Sequence, residues 1–353
     1  MKKLLATLMI LTMLIAPAHA AEKKLSIVCT TFPSYDWMRE ILGERVKDVD
    51  LSLLQDNGVD LHNFQPTAEH FIRVSSADML VYVGGPSDGW VDDAVKEAKN
   101  KALLAVNLMD AMGDLVKEEA DLEGMQETEH AHHHDHDDHD DDHDDHDDHD
   151  EHDEHDDHDD HDDDHDHDHE HHHHEHESDE HIWLSLRNAR HLVKVLCEKL
   201  SAIDKEHADL YAANTAAYIQ KLDALDKQYQ EVISSAKDKT VLFADRFPFL
   251  YLTEDYGLTP FAAFSGCSAE TEASFETVAF LAGKMDELKL PAVLTIEGSD
   301  QRIAKAVLGA SKDANRPILT LHSIQSINRD DVQNKTYLGI MQENLETLKK
   351  ALQ

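Results

Sequence analysis

Short apolar runs alternate with amphipathic stretches over the first part of the chain. The apolar runs have the length and composition of buried strands and cover residues 25–32, 49–54, 79–83 and 103–108. Between them, apolar residues recur at helical spacing in residues 35–42, 68–77 and 90–99. Strands that alternate with helices predict a mostly parallel sheet, in which ligand groups lie on the loops beyond the carboxyl ends of the strands. The polar loop 55–66, which contains Asp60 and His62, is such a loop.

The same alternation returns in the second half of the chain. Residues 187–236 have helical spacing nearly throughout, and their second half is long enough to form one rigid connecting helix. Predicted strands follow at 240–244, 259–264, 292–296 and 318–321, and predicted helices at 249–256, 275–288, 301–308 and from about 336. We therefore predict an α/β fold of two lobes, each a mostly parallel sheet flanked by helices, joined by one long rigid helix with a ligand cleft between the lobes.

A segment of low complexity interrupts the first lobe. Residues 130–176 contain 21 His, 25 Asp or Glu and one Ala, and His recurs every third position from His143 to His161. Such a segment has no apolar side chains to bury, so we expect it to be disordered in isolation. Imidazole and carboxylate are ligands for Zn²⁺ and similar metals, which favours metal binding over the alternative of a solvated acidic spacer.

The first residues of the chain have the pattern of a secretory signal peptide. Lys2 and Lys3 precede an apolar run at 4–15, and Ala18-His19-Ala20 has the small residues of a cleavage site. The run is too short to span a membrane, and no cysteine follows it as a lipid-anchor signal would require. We predict cleavage after Ala20 and export to the periplasm.

These patterns divide the chain into six segments. They are a signal peptide (1–20), the first part of the N-terminal lobe (21–128), the His/Asp-rich insert (129–177), the completion of that lobe (178–206), the linking helix (207–236) and the C-terminal lobe (237–353).

Charge and cysteine content exclude several classes of protein. The formal net charge is −41, which makes nucleic acid an unsuitable partner because its recognition requires a basic surface. Only Cys29, Cys197 and Cys267 are present, without a CxxC pair, so neither a disulfide scaffold nor a thiolate zinc knuckle is expected. Neither a Walker sequence nor a G-x-S-x-G motif occurs, and we predict a binding protein rather than an enzyme.

The order of these motifs resembles that of the solute-binding proteins of bacterial zinc and manganese ABC transporters. The resemblance covers essentially the whole mature chain and is carried by 58–67 (GVDLHNFQPT), 181–184 (HIWL) and Tyr211-x-x-Asn214 followed by Tyr218 in the linking helix. It implies a metal cleft between the lobes, a zinc ion as transported ligand, and partnership with a permease and its ATPase. We expect a monomer that contacts the membrane only through that permease.

The resemblance also implies a set of metal ligands. The first two family ligands correspond to His62 and His181, and the fourth, usually an Asp, corresponds to His322. The third, usually His or Glu, falls on Arg246, which is always protonated and cannot bind a cation. We therefore predict His62, His181 and His322 as ligands, with the adjacent Asp245 as the carboxylate; the alternative is that Asp245 pairs with Arg246 and a water completes the shell.

Other candidates are interpreted as structural. Cys267 follows a strand of the second lobe, but a solitary cysteine is more often a small buried apolar residue. For Glu297 a capping or supporting role is favoured. Three histidines lie on predicted helices and are expected at the surface: His70, His191 and His207.

Ligand chemistry favours zinc, because nitrogen-rich coordination disfavours the harder Mn²⁺. Two roles stay open for the insert: an antenna that supplies additional weak zinc sites, or a sensor that slows delivery when zinc is plentiful. Two alternatives also stay open for the whole protein, namely an exported metal buffer or adhesin without a transporter partner, and a manganese-specific member of the same family.

Overall fold

Two parallel sheets of four strands each form the centres of the two lobes in the part of the chain that the structure describes. The structure is a computed structural model that describes residues 24–126, 178–268 and 272–353. The predicted signal peptide and the His-rich insert lie outside these ranges.

The first sheet has the order β2-β1-β3-β4 and the second β6-β5-β7-β8, and every paired strand is parallel to its neighbour. The strands are β1 (Ser26–Cys29), β2 (Asp50–Leu53), β3 (Met79–Tyr82), β4 (Leu104–Asn107), β5 (Thr240–Phe247), β6 (Thr259–Ser265), β7 (Val293–Thr295) and β8 (Ile318–Thr320). In each sheet the first strand along the chain, β1 or β5, is an inner strand with a neighbour on both sides. The loops that lead away from the central strands therefore diverge and leave a crevice for ligands. The predicted α/β class with two mostly parallel sheets is confirmed.

Helices cover the sheets and connect the lobes. They are α1 (Phe32–Leu42), α2 (Ala68–Ser76), α3 (Val91–Lys96), α4 (Leu108–Met112), α5 (Leu186–Ile203), α6 (Ala208–Ser235), α7 (Leu250–Tyr256), α8 (Phe275–Glu287), α9 (Arg302–Ala310), α10 (Arg329–Asn334) and α11 (Tyr337–Ala351). The 28 residues of α6 span about 42 Å at the usual helical rise, which confirms the predicted long helix. None of the helices in the described ranges is long and apolar enough to cross a membrane.

The continuous helical pattern of residues 187–236 is broken in the structure at Asp204. This residue has φ −124° and ψ 74°, and a short 3₁₀ turn, Lys205–His207, leads into α6. The Asp204 carboxylate accepts hydrogen bonds from His207 Nδ1 at 2.9 Å and from the Tyr211 hydroxyl. An Asp side chain that binds nearby groups in this way competes with helical backbone bonding, which explains a break that apolar spacing does not reveal.

One apolar core continues from the first lobe through α6 into the second. Trp37 of α1 packs edge-on against Tyr337 of α11, with ring centroids 5.3 Å apart. Tyr229 of α6 stacks on Tyr256 of α7 at 5.0 Å. Because apolar side chains of both lobes are buried against the same helix, α6 positions the two sheets relative to each other.

Candidate metal centre

His62 is positioned by a short turn after the second strand. The 3₁₀ turn Leu61–Asn63 begins at Asp60, whose Oδ1 accepts a hydrogen bond from the His62 backbone N–H at 3.0 Å. The His62 Nδ1 atom lies 2.9 Å from Ser87 Oγ and 3.3 Å from Glu180 Oε2. These contacts occupy Nδ1 and leave Nε2 of this imidazole for another partner.

His181 is fully buried and is oriented by a carboxylate. Asp179 Oδ1 lies 2.8 Å from the His181 backbone N and 2.9 Å from its Nδ1. A carboxylate at Nδ1 fixes the tautomer in which Nε2 carries the free lone pair, as is usual for metal-binding histidines. The segment after it is fixed to the second lobe, because Trp183 Nε1 donates to Ser323 O at 2.8 Å.

The two imidazoles meet at their Nε2 atoms. These nitrogens are 3.2 Å apart and the ring centroids are 5.1 Å apart in an edge-on arrangement. Glu180 supports the pair from behind, since its Oε1 accepts from the Ser87 backbone N at 2.8 Å and its Oε2 accepts from Ser87 Oγ at 2.5 Å. The structure therefore brings together two of the four predicted ligands, with their outer nitrogens already occupied.

Cys267 is the third member of this cluster. One ligand atom from each of His62, His181 and Cys267 lies within 4.8 Å of the others. The preceding Gly266 is packed so closely that a Cβ there would stand 3.1 Å from His181 Cε1 and 2.9 Å from Phe247 O. A glycine thus allows the loop after β6 to approach His181. The sequence interpretation gave this cysteine a structural role, and its place after a strand of the second lobe was the available signal.

Gln325, on the loop after β8, also faces the cluster, and no sequence motif identified it. Its Oε1 lies 2.8 Å from His181 Nε2, whereas its own amide nitrogen is buried without a hydrogen-bond partner in the described ranges. The neighbouring Ile324 has φ +64°, a conformation that is rare for a β-branched residue and costs on the order of 1–3 kcal/mol. Such strain persists only where surrounding contacts impose it, as they do at this loop.

His322 and Asp245 lie outside the cluster of ligand atoms. His322 Nδ1 accepts from the Ile324 backbone N at 3.0 Å and lies 3.3 Å from Glu297 Oε1. Asp245 is at the end of β5, which continues three residues beyond the predicted strand, and its Oδ1 accepts from the Arg246 backbone N at 2.9 Å. Their roles as ligands stay predictions.

Arg246, at the position of the family's third ligand, forms an ion pair across the lobes. Its Nη2 lies 2.7 Å from Asp60 Oδ2, and its Nη1 donates to Ser268 O at 3.4 Å. Both side chains of the pair are mostly buried. The pair therefore connects the end of β5 to the turn that carries His62. The predicted alternative, an ion pair of Arg246 with its neighbour Asp245, is replaced by one with Asp60.

An open cleft of about 390 Å³ adjoins this ion pair. Residues of both lobes line it, and the acidic ones outnumber the basic ones. The acidic residues of the lining are Asp60, Asp245, Glu297 and Asp300. None of the three clustered ligand residues lines the cleft; the two regions meet at Asp60. An acidic mouth beside the buried pair of imidazoles attracts cations.

Electrostatic surroundings control the protonation of the cluster. Burial lowers the pKa of His181, but the Asp179 charge and hydrogen bond outweigh it and raise that pKa above its usual value. Burial tends to raise the pKa of Glu180, and its hydrogen bonds with His62 and Ser87 hold it below the usual range. Burial and then the charge of Glu119 raise the pKa of the Cys267 thiol. Protons therefore compete with a cation for this site.

Comparison with known proteins identifies the family. The model of the family described as zinc-uptake complex component A, periplasmic (ZnuA), matches residues 27–351. The chain belongs to this family. The predicted resemblance to zinc and manganese solute-binding proteins is thereby confirmed, and so is the prediction of a binding protein rather than an enzyme.

Relatives of known name agree with this assignment. The zinc-binding lipoprotein AdcA of Streptococcus pneumoniae is 30% identical over 331 residues, which are 94% of this chain and 56% of AdcA. The chain thus spans about half the length of that relative. The metal ABC transporter substrate-binding lipoprotein FimA of Streptococcus parasanguinis is 24% identical over 95% of this chain and 91% of its own length.

A solved structure confirms the fold. The Zn(II)-bound ZnuA-like domain of Streptococcus pneumoniae AdcA superimposes with a TM-score of 0.65 at 24% identity. The superposition covers 94% of this chain and 99% of that domain.

Proposed function

We propose that the chain is an extracytoplasmic solute-binding protein that captures Zn²⁺ between its lobes and delivers it to an ABC importer. The observation that carries the proposal is the pair of His62 and His181, whose Nε2 atoms face each other at 3.2 Å. Two nitrogen ligands on one tetrahedral zinc ion are about 3.3 Å apart, as follows from zinc–nitrogen bonds of about 2.05 Å. The pair is therefore arranged as a zinc site requires.

Burial and tautomer make this pair a better metal site than an ordinary contact between histidines. Each Nδ1 has an oxygen partner, so the ring orientation is fixed before a cation arrives. Preorganised ligands lose little freedom on binding, which increases affinity. Nitrogen-rich coordination favours zinc over manganese, whose preferred ligands are carboxylate and water.

His322 and Asp245 are proposed as ligands of the closed, loaded form. Asp245 lines the cleft between the lobes, and His322 lies 3.3 Å from Glu297, which also lines it. If they join the centre, His322→Ala and Asp245→Asn each weaken zinc binding by a factor of 10 or more, roughly the effect of losing a supporting group at a zinc site. Unchanged affinity in either variant excludes that residue.

The His-rich insert is proposed to serve as an antenna or a sensor for the same site. Glu118 and Ser178, on either side of it, form an antiparallel bridge, and the Asp179 backbone N donates to Lys117 O at 2.8 Å. The C-terminal end of the insert is therefore followed directly by the paired segment that leads to Asp179 and His181, whereas Gln126, before the insert, donates its backbone N–H to Ala263 O of the second lobe at 2.9 Å. The two roles predict opposite effects of deleting residues 130–176 on uptake at low zinc: an antenna requires a loss, whereas a sensor does not.

The test of the proposed function separates the cleft from the insert. Residues 130–176 are replaced by a short glycine–serine linker, and zinc affinity is measured by competition with a chelator. We expect one high-affinity site that is lost in His62→Ala and in His181→Ala. If the truncated protein binds zinc only weakly, the chain is an exported metal buffer or adhesin instead. If it prefers Mn²⁺, it is a manganese-specific member of the family.

Transport itself requires partner subunits. We infer a permease and an ATPase, because FimA is described as a metal ABC transporter substrate-binding lipoprotein and this chain belongs to the same kind of family. We expect that deletion of such a permease, with the binding protein intact, abolishes growth when zinc is limiting. Normal growth would contradict it.

A further inference from the structure

We propose that Cys267 is a ligand of the zinc ion, bound as a thiolate together with His62 Nε2 and His181 Nε2. The inference rests on the proposed function and deepens it, because it names the third ligand. The Cys267 thiolate takes the place of the family's third ligand, a nitrogen or carboxylate that Arg246 cannot supply.

Geometry is the first support. The ligand atoms of the three residues lie within 4.8 Å of one another. A tetrahedral zinc ion with bonds of about 2.05 Å to nitrogen and about 2.3 Å to sulfur places nitrogen and sulfur about 3.6 Å apart. The loop therefore needs to close by at most about 1 Å to complete the centre, which is a small movement for a loop residue.

The surroundings of the loop are the second support. Gly266 allows its close approach to His181, and the Cys267 backbone N donates to Glu119 Oε1 at 3.1 Å. Glu119 belongs to the first lobe, so both lobes hold the cysteine beside the histidine pair. A cysteine that merely filled apolar space would lie among apolar side chains, as Cys197 does in the core of the first lobe.

Gln325 makes the surroundings of the cluster polar. Its side chain is 97% buried, faces His181 through Oε1 at 2.8 Å, and keeps an amide nitrogen without a partner among the described residues. Buried polar groups are normally satisfied, and an unpaired amide N–H marks a position for an acceptor such as a water. The three candidate ligand atoms thus lie in a polar part of the protein interior.

Arg246 is excluded from the centre by its own contacts. Its guanidinium is paired with Asp60 at 2.7 Å, so its charge is neutralised locally instead of opposing a cation.

On zinc binding, the Cys267 thiol loses its proton to solvent and one sulfur–zinc bond forms, without any change of oxidation state. Two neutral imidazoles and one thiolate leave a fourth position for a carboxylate, His322 or a water.

The thiolate ligand changes which metals the site accepts. Soft thiolates favour zinc and disfavour manganese, calcium and magnesium, whose preferred ligands are oxygens. The proposal therefore gives a structural reason for zinc selectivity that does not depend on the His-rich insert.

Cobalt(II) titration of the full-length protein tests the proposal. Residues 130–176 contain no cysteine, so the insert cannot contribute a thiolate-to-cobalt charge-transfer band. We expect such a band in the near ultraviolet with one equivalent of cobalt, and its removal by zinc, which soft thiolate ligands favour. The band is expected to be absent in both Cys267→Ser and Cys267→Ala, and unchanged in the matched control Cys197→Ala.

Zinc competition on the same variants gives a second readout. Loss of a ligand should weaken the high-affinity site on the order of 100-fold, at least as much as loss of a supporting group does. Circular dichroism and thermal unfolding without metal verify that each variant is folded, and two different substitutions guard against a local packing defect.

The outcomes separate this proposal from the proposed function. A high-affinity zinc site that requires His62 and His181 but is unchanged in Cys267→Ala, without a charge-transfer band in the wild type, overturns the cysteine ligand and leaves the proposed function intact. Absence of any site sensitive to His62→Ala or His181→Ala overturns both.

Discussion

Replacement of Asp179 tests whether a preorganised histidine controls zinc affinity. Asp179 Oδ1 contacts both the backbone N of His181 at 2.8 Å and its Nδ1 at 2.9 Å, and both side chains are buried. The variant Asp179→Asn keeps the shape but removes the charge that selects the Nδ1–H tautomer. Loss of such a supporting group weakens metal binding 10- to 100-fold, which corresponds to about 1.4–2.8 kcal/mol.

The pH dependence of this variant identifies the cause. Asp179 raises the pKa of His181 against the effect of burial, so protonation competes with zinc up to a higher pH in the wild type. Without metal, the pair of protonated His181 and Asp179 stabilises the fold at pH values below about 6.5, the pKa of histidine in the unfolded chain. This contribution is lost as pH rises through the raised pKa of His181 in the folded protein. In Asp179→Asn, burial, which lowers the pKa of His181, is opposed only by Gln325 and Glu180. The fall in zinc affinity on acidification should therefore move to lower pH.

The assay is chelator competition with zinc over a series of pH values, on the protein without residues 130–176. Asp204→Asn is the matched control, because Asp204 makes the same 2.9 Å contact with Nδ1 of His207 away from the cluster. Wild-type affinity in Asp179→Asn, or an equal loss in Asp204→Asn, would refute the reasoning.

Two further predictions concern Arg246 and the buried Asp88, whose carboxylate accepts hydrogen bonds from the backbone N–H groups of Val83 and Gly84. Arg246→Gln breaks the mostly buried pair with Asp60 and should lower the free energy of unfolding by about 1–3 kcal/mol in denaturant titrations. The control is Arg329→Gln, whose pair with Asp56 is exposed and whose loss should lower the free energy of unfolding by less than about 1 kcal/mol. Equal losses in the two variants would contradict the role of burial. Burial raises the pKa of Asp88 to about 7, so its protonated form stabilises the fold below about pH 4 and this contribution is lost as pH rises through about 7. Between about pH 6 and about pH 8 the wild type should therefore lose about 1.4 kcal/mol relative to Asp88→Asn in unfolding experiments at a series of pH values, and parallel pH profiles would refute this.

The fold was predictable because its signals are local. Buried parallel strands are short apolar runs, and the helices that cover them have one apolar face, so order and type of the elements follow from spacing. His62 and His181 were also predictable from the sequence, since each is part of a recognisable segment. The break at Asp204 was not, because side-chain hydrogen bonds ended the helix within an unbroken apolar pattern.

The remainder of the candidate site depends on contacts between distant segments. Cys267 and Gln325 reach His181 from loops after two different strands of the second lobe, and neither lies in a motif that announces this contact. The partner of Arg246 is Asp60, 186 positions away, instead of the neighbouring Asp245. Such pairings follow from how the two lobes pack against α6, which periodicity along one chain does not encode.

Anomalous diffraction at the zinc edge, on crystals of the zinc-bound protein, tests the central claim most directly. We expect one fully occupied zinc ion between the lobes, about 2.0–2.1 Å from Nε2 of both His62 and His181. A zinc ion bound elsewhere, with these two nitrogens still in contact with each other, would contradict it.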